Sequence, residues 1–189
     1  MYHIKNDKRC QRSAMLIADA LEHLLDHKSF MDISVSDIQR ESGVGRSTFY
    51  RLFDNIDDVV TFLVDESFRD ILADYNNQTW KDFTRTILAG IIGQSGKLLN
   101  IVAEGRTDLI VRPIRQNLQS IYRYDDPTKR REAHYRSAVF AGACISILLS
   151  WSENGKVETV DELADILDGF LSISDDLGIE DDNGFTDMK

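Results

Sequence analysis

Arg46, Ser47, Tyr50 and Arg51 are the side chains best placed to act together in this sequence. Arg46 and Tyr50 are four residues apart, as are Ser47 and Arg51, so on a helix the four share one face. Such a face suits a nucleic-acid duplex. An arginine or a serine can reach a base edge, arginine to guanine being the commonest specific pairing, and a tyrosine hydroxyl reaches the phosphate backbone. The competing reading is a solvated polar helix face. Catalysis finds no such set: no nucleophile, base and acid fall into a recognisable pattern. Gly90, Gly93 and Gly96 lack the strand that a phosphate-binding loop requires. His23, His27 and His134 show no metal spacing, and His3 lies in a start expected to be mobile. No catalytic residue, metal or cofactor is therefore expected.

The four polar residues need two short helices and a tight turn to present them. The run Ser34 to Phe53, SVSDIQRESGVGRSTFYRLF, supplies both. Ser34 followed by Asp37 is a capping-box-like start, so a helix is predicted over Val35 to Ser42, with Ser36 on its outside. Gly43 ends it, since glycine readily takes the left-handed conformation of a helix C-terminus. A third helix begins at Gly45 or Arg46 and closes near Leu52, with Thr48 beside the outward face. Ile38, Val44, Phe49, Leu52 and Phe53 anchor this unit to a core. Two helices joined this way are a helix-turn-helix, whose second helix enters the major groove.

Before it, a helix is predicted from Lys8 to His27, with Ala14, Ile17, Ala18, Leu21, Leu24 and Leu25 as its apolar stripe. Phe30 and Ile33 plug the same core. Lys8, Arg9 and Arg12 either touch phosphate or form a solvated arm. After it, Asn55 caps a fourth helix that reaches about Tyr75, and the polar break Asn76–Thr79 is the expected domain boundary. Further helices are predicted at about Thr79–Gly93, at Pro113–Tyr122 with proline in its first position, and at Lys129–Glu153. Residues 96–111 are left without assigned boundaries, and Asp125–Thr128 is read as a turn. Thr159 with Glu162 forms a capping box for the last helix, whose stripe is Val160, Leu163, Ile166, Leu167, Phe170 and Leu171. The fold class is all-α, with about nine helices. The expected organisation is a helix-turn-helix domain over 1–54, a connecting helix over 55–76, a C-terminal bundle over 77–174 and an acidic, disordered tail over 175–189.

Charge agrees with this division. The formal net charge is −10, yet residues 1–53 hold eight Lys/Arg against seven Asp/Glu, and the remainder holds 14 against 25. Only the first part would not be repelled by phosphate. Cys10 and Cys144 have no metal-type spacing and suggest reduced thiols in a cytoplasmic protein. No signal peptide is seen, and the apolar run Ala138–Trp151 is too short and too interrupted for a membrane span.

These residues carry a resemblance. Ile33 to Val60 resembles the DNA-binding segment of the TetR/AcrR family of transcriptional regulators. The shared features are Ser34, Ile38, Ser42 before Gly43–Val44, Thr48–Phe49–Tyr50, and Phe53. The resemblance covers about the first third of the chain. Beyond it only the helix count and the run Trp151…Gly155…Glu162–Leu163 are similar. Gly45 stands where the family often has Ser, and Ile56 where it usually has a Lys that touches phosphate.

The resemblance implies a homodimer on double-stranded DNA that reads a palindromic operator, usually as a repressor, under a small-molecule or protein effector. Its implied DNA contacts are Ser34, Ser36, Gly45, Arg46, Ser47, Thr48, Tyr50 and Arg51. In relatives the last two helices build the dimer interface, and here the candidates are Ala138, Ala141, Gly142, Ile145, Leu163, Leu167 and Phe170. No ligand pocket is assigned: Trp80, Phe83, Ile87, Ile91, Leu118, Tyr122, Phe140 and Trp151 either line one or pack a core. The alternative function is a protein-interaction module that keeps the fold without binding DNA.

Overall fold

A computed structural model describes residues 2–4, 7–73, 80–93, 97–121 and 126–176; the side chains of 70–73, 80, 121 and 171–176 fall outside it. The described residues form nine α-helices and no strand: α1 (Lys8–Leu25), α2 (Val35–Ser42), α3 (Arg46–Leu52), α4 (Ile56–Ala73), α5 (Trp80–Gly93), α6 (Lys97–Ala103), α7 (Asp108–Ile121), α8 (Pro127–Glu153) and α9 (Val160–Asp176). The expected boundary at Asn76–Thr79, residues 177–189 of the expected tail, and Tyr122 lie outside the described residues.

The N-terminal three helices form as their end signals dictate. Asp7 caps α1 by accepting from the backbone N–H groups of Arg9 and Cys10, each at 2.9 Å. A 3₁₀ turn at Phe30–Asp32 then buries Phe30, with Ile33 beside it. The aromatic rings of Phe49, Phe53 and Phe62 pack in succession with centroids 5.9 and 5.7 Å apart, tying α3 to α4. Contrary to the expected mobile start, residues 2–4 are pinned. The Tyr2 ring meets Phe62 edge-on at 5.5 Å, its hydroxyl donates to Asp65 Oδ2 at 2.7 Å, and the His3 amide donates to the Leu52 carbonyl at 2.7 Å.

Helix α4 leads out of this unit and lies beside α1, α5 and α7. Arg106, just before α7, reaches Asp57 at the start of α4, while Asn117 further along α7 donates to Asp65 at 2.6 Å. The two helices therefore run parallel. Lys81 meets Asp165 and Arg85 meets Asp161, so α5 and α9 are antiparallel. Phe83, Ile87, Ile91, Leu118 and Phe140 are buried in the shared core, and Trp151 donates through Nε1 to the Glu158 carbonyl at 2.9 Å.

Three expectations change. Residues 97–103 form α6, whose Leu98, Leu99, Ile101 and Val102 are all buried. Proline begins a helix at Pro127, behind the cap Asp126, and α8 therefore starts two residues before Lys129. Pro113 instead lies inside α7, where buried Leu109, Ile110 and Ile114 hold the turn that its missing N–H weakens. The dimer candidates also divide. Ala141, Ile145, Leu163 and Leu167 are at most 3% exposed, packed inside the subunit with no surface left for a second chain. Ala138 and Gly142 are half-buried, and only Phe170 is open, at 74%. Among the described residues no single helix is long and apolar enough to cross a membrane.

Candidate nucleic-acid interface

Helix α2 is fixed at both ends by its own residues. Ser34 Oγ accepts the Asp37 amide at 3.2 Å, and Asp37 Oδ2 accepts the Ser34 amide at 2.9 Å and its hydroxyl at 2.6 Å. Lys28 and Arg40 also reach Asp37, at 2.8 and 2.6 Å. The Lys28 ammonium first, then Ser34 and Arg40, hold this carboxyl far below the usual range. Ser34 and Ser36 are both exposed, but the Ser34 hydroxyl is already engaged by Asp37. At the other end Gly43 sits at φ 69°, ψ 5° and donates to the Gln39 carbonyl, closing the turn. Val44, half-buried, packs on the core through the turn, and Ile38 is fully buried.

Gly45 caps α3 with backbone only: its carbonyl accepts the amides of Thr48 at 2.9 Å and Phe49 at 3.0 Å. Phe49, Leu52 and Phe53 are 0% exposed, which fixes the rotation of the helix about its axis. That rotation leaves Arg46, Ser47, Tyr50 and Arg51 exposed together, with Thr48 half-buried at the margin. The Arg46 guanidinium lies over the Tyr50 ring, 5.5 Å from its centroid. The Tyr50 ring in turn meets Phe49 edge-on at 5.4 Å.

Cations on this side stay unneutralised. Lys8, Arg9, Arg12, Arg46 and Arg51 are exposed and make no ion pair among the described residues, and Arg51 is close enough to lower the Asp7 carboxyl, after the Cys10 contacts. The acids beyond α3 are occupied instead. Asp54 meets His3 at 3.0 Å, and Asp57 is paired with Arg106 at 2.7 Å. Asp58, 8% exposed, accepts the Asp54 amide at 2.9 Å while its own amide donates to Asn55. Asp57 is therefore neutralised by a guanidinium, while Asp54 and Asp58 are held by hydrogen bonds. Ile56 is half-buried against the core.

Sequence reading missed the brace behind this surface. Glu104, in the turn after α6, accepts from Ser29 Oγ at 2.8 Å and from the amides of Phe30 and Met31 at 3.2 and 3.1 Å. Arg106 lies over the Phe30 ring at 5.8 Å, and Lys97 pairs with Asp26 at 3.1 Å. These contacts join positions more than 70 residues apart, and no local pattern signals them.

A second exposed group lies on the last two helices. Tyr135 and Val139 of α8 are 65% and 62% exposed, and Ile166 and Phe170 of α9 are 56% and 74% exposed. Each pair is spaced by four, so each forms a stripe along its helix. A Cβ added at Gly142 would meet nothing within 4 Å.

No protein-family model matches the chain. The HTH-type dhaKLM operon transcriptional activator DhaS of Lactococcus lactis subsp. lactis (strain IL1403) is 29% identical over 69 residues. That match spans 36% of this chain and 37% of that relative's length. Among solved structures, Lin0861 from Listeria innocua superposes with a TM-score of 0.72 at 18% identity, over 90% of this chain and 95% of that one. The dihydroxyacetone kinase operon activator DhaS gives 0.56 at 16% identity, over 86% and 95%. A TetR transcriptional regulator from Streptococcus agalactiae 2603V gives 0.52 at 19% identity, over 85% and 94%. The chain has the fold of TetR-type transcriptional regulators.

Proposed function

We propose that this protein is a homodimeric, sequence-specific DNA-binding transcriptional regulator. The observation that carries this reading is the outward face of α3, where Arg46, Ser47, Tyr50 and Arg51 are exposed while Phe49, Leu52 and Phe53 lock the helix from behind. Lys8, Arg9 and Arg12, exposed on the first half of α1, would supply phosphate contacts. The relative DhaS is named an activator of its operon; in this protein the same kind of head would act as a repressor, the position of the operator relative to the promoter deciding the sign.

Dimerisation is supported by the stripes Tyr135–Val139 and Ile166–Phe170, which a second copy would cover around the open site at Gly142. Two heads related by a two-fold axis then read a palindrome with half-sites about 34–36 Å apart. The C-terminal bundle braces the head through Glu104 and Arg106, so an effector bound there would bias its orientation.

The test is a titration of promoter DNA at two salt concentrations. Affinity that falls steeply with salt, and collapses in the double variant Arg46→Ala with Tyr50→Phe, supports the reading. Absence of binding at low salt supports the protein-interaction module instead.

A further inference from the structure

Arg46 and Tyr50 are in contact with each other, and Tyr50 is in contact with the core. The guanidinium sits 5.5 Å from the Tyr50 centroid, and the Tyr50 ring stands at 80° to Phe49, which is fully buried. A long arginine on an exposed helix face has many rotamers, and here it makes no ion pair among the described residues to choose among them. The aromatic face selects one. Because Phe49 fixes the plane of the Tyr50 ring, the selection is transmitted from the core to the tip of Arg46. Arg46 is also the first residue of α3, the end of a recognition helix that meets base edges.

We propose that the Tyr50 ring is a positioning residue that holds Arg46 for a two-pronged hydrogen bond to guanine, so that each operator half-site carries a guanine facing the start of α3. This rests on the DNA-binding reading and goes beyond it. It names the base, and it divides Tyr50 into two parts. The ring sets the discrimination of Arg46, and the hydroxyl adds a phosphate contact that is indifferent to sequence.

The experiment uses a duplex recovered by in vitro selection from a random library, with the guanine then replaced singly by each other base. Wild-type protein should prefer guanine about tenfold or more. Tyr50→Phe keeps that ratio while weakening every duplex equally. Tyr50→Leu lowers the ratio by about two- to fivefold, and in an Arg46→Ala background the same substitution changes the ratio no further. Arg46→Gln, whose amide pairs with adenine and not guanine, loses the preference, which supplies a second reading if Tyr50→Leu melts early. An unchanged ratio in Tyr50→Leu, or an equal loss of ratio in Tyr50→Phe, overturns the proposal. So does a selected half-site without guanine. If no duplex is bound at low salt, the DNA-binding reading itself fails, which is a different result from binding without discrimination.

Discussion

Replacing Glu104 with alanine should loosen the head from the body without unfolding either. The carboxylate accepts three hydrogen bonds from the 3₁₀ turn: the Ser29 hydroxyl and Met31 amide on Oε2, the Phe30 amide on Oε1. Ser29 and Met31 are exposed, so water replaces two of these partners, whereas the Phe30 contact is partly buried. The geometry is that of a helix N-cap supplied by a distant residue. A cap loss costs about 0.5–2 kcal/mol, and with two of three donors rewetted about 1 kcal/mol is expected. For a chain of this size that lowers Tm by roughly 2–4 °C. Glu104→Gln, which keeps one acceptor, should cost about half as much.

Acid provides an internal control on the same residue. Burial raises the Glu104 carboxyl, but the bonds from Ser29, Met31 and Phe30 together outweigh it and leave it below the usual range. A carboxyl depressed in the folded state contributes fully above its unfolded value of about 4.3, and the contribution fades as pH falls through the folded value. Urea unfolding of both proteins at neutral and acid pH reads the difference. A gap that persists undiminished below pH 3, or no gap at neutral pH, refutes the reasoning.

Other outcomes are equally specific. Gly43→Ala meets no neighbour, so its whole penalty is the left-handed backbone at φ 69°, about 1–2 kcal/mol by thermal melting. Ile56→Lys lays its stem on the same core surface and adds a cation at the head of α4. Affinity at low salt should rise, and the slope of log affinity against log salt should steepen by about one. Val139→Asp with Phe170→Asp places charge on the exposed α8 and α9 stripes and should yield a folded monomer in sedimentation, with weakened DNA binding.

What could be read in advance divides by distance along the chain. The ends of α2 and α3 follow from residues within four positions, Ser34 with Asp37 and Gly43 behind Gln39, and they form as local rules require. Pro113 misled because its burial in α7 is decided by the packing of Leu109, Ile110 and Ile114 against other helices, and packing overrides the N-terminal preference of proline. Helix α6 was missed because it is only 7 residues long, too short for its buried stripe of Leu98, Leu99, Ile101 and Val102 to register as a helical period. The dimer candidates divide by direction: Ile145 and Val139 are equally apolar in sequence, yet one faces the core and the other solvent, and of the candidates Phe170 is the exposed one. On α3 the same distinction was legible, since polar and aromatic residues alternate there at helical spacing. The Glu104 and Asp65 contacts needed the fold itself.

In vitro selection from a random duplex library, sequenced after several rounds with wild-type protein and with Arg46→Ala, tests the central claim most directly. The expected result is an inverted repeat whose half-site centres lie about one helical turn apart, enriched by the wild type and lost in the variant. No enrichment at low salt, or the same repeat recovered by Arg46→Ala, would contradict the assignment of α3 as the DNA-reading helix.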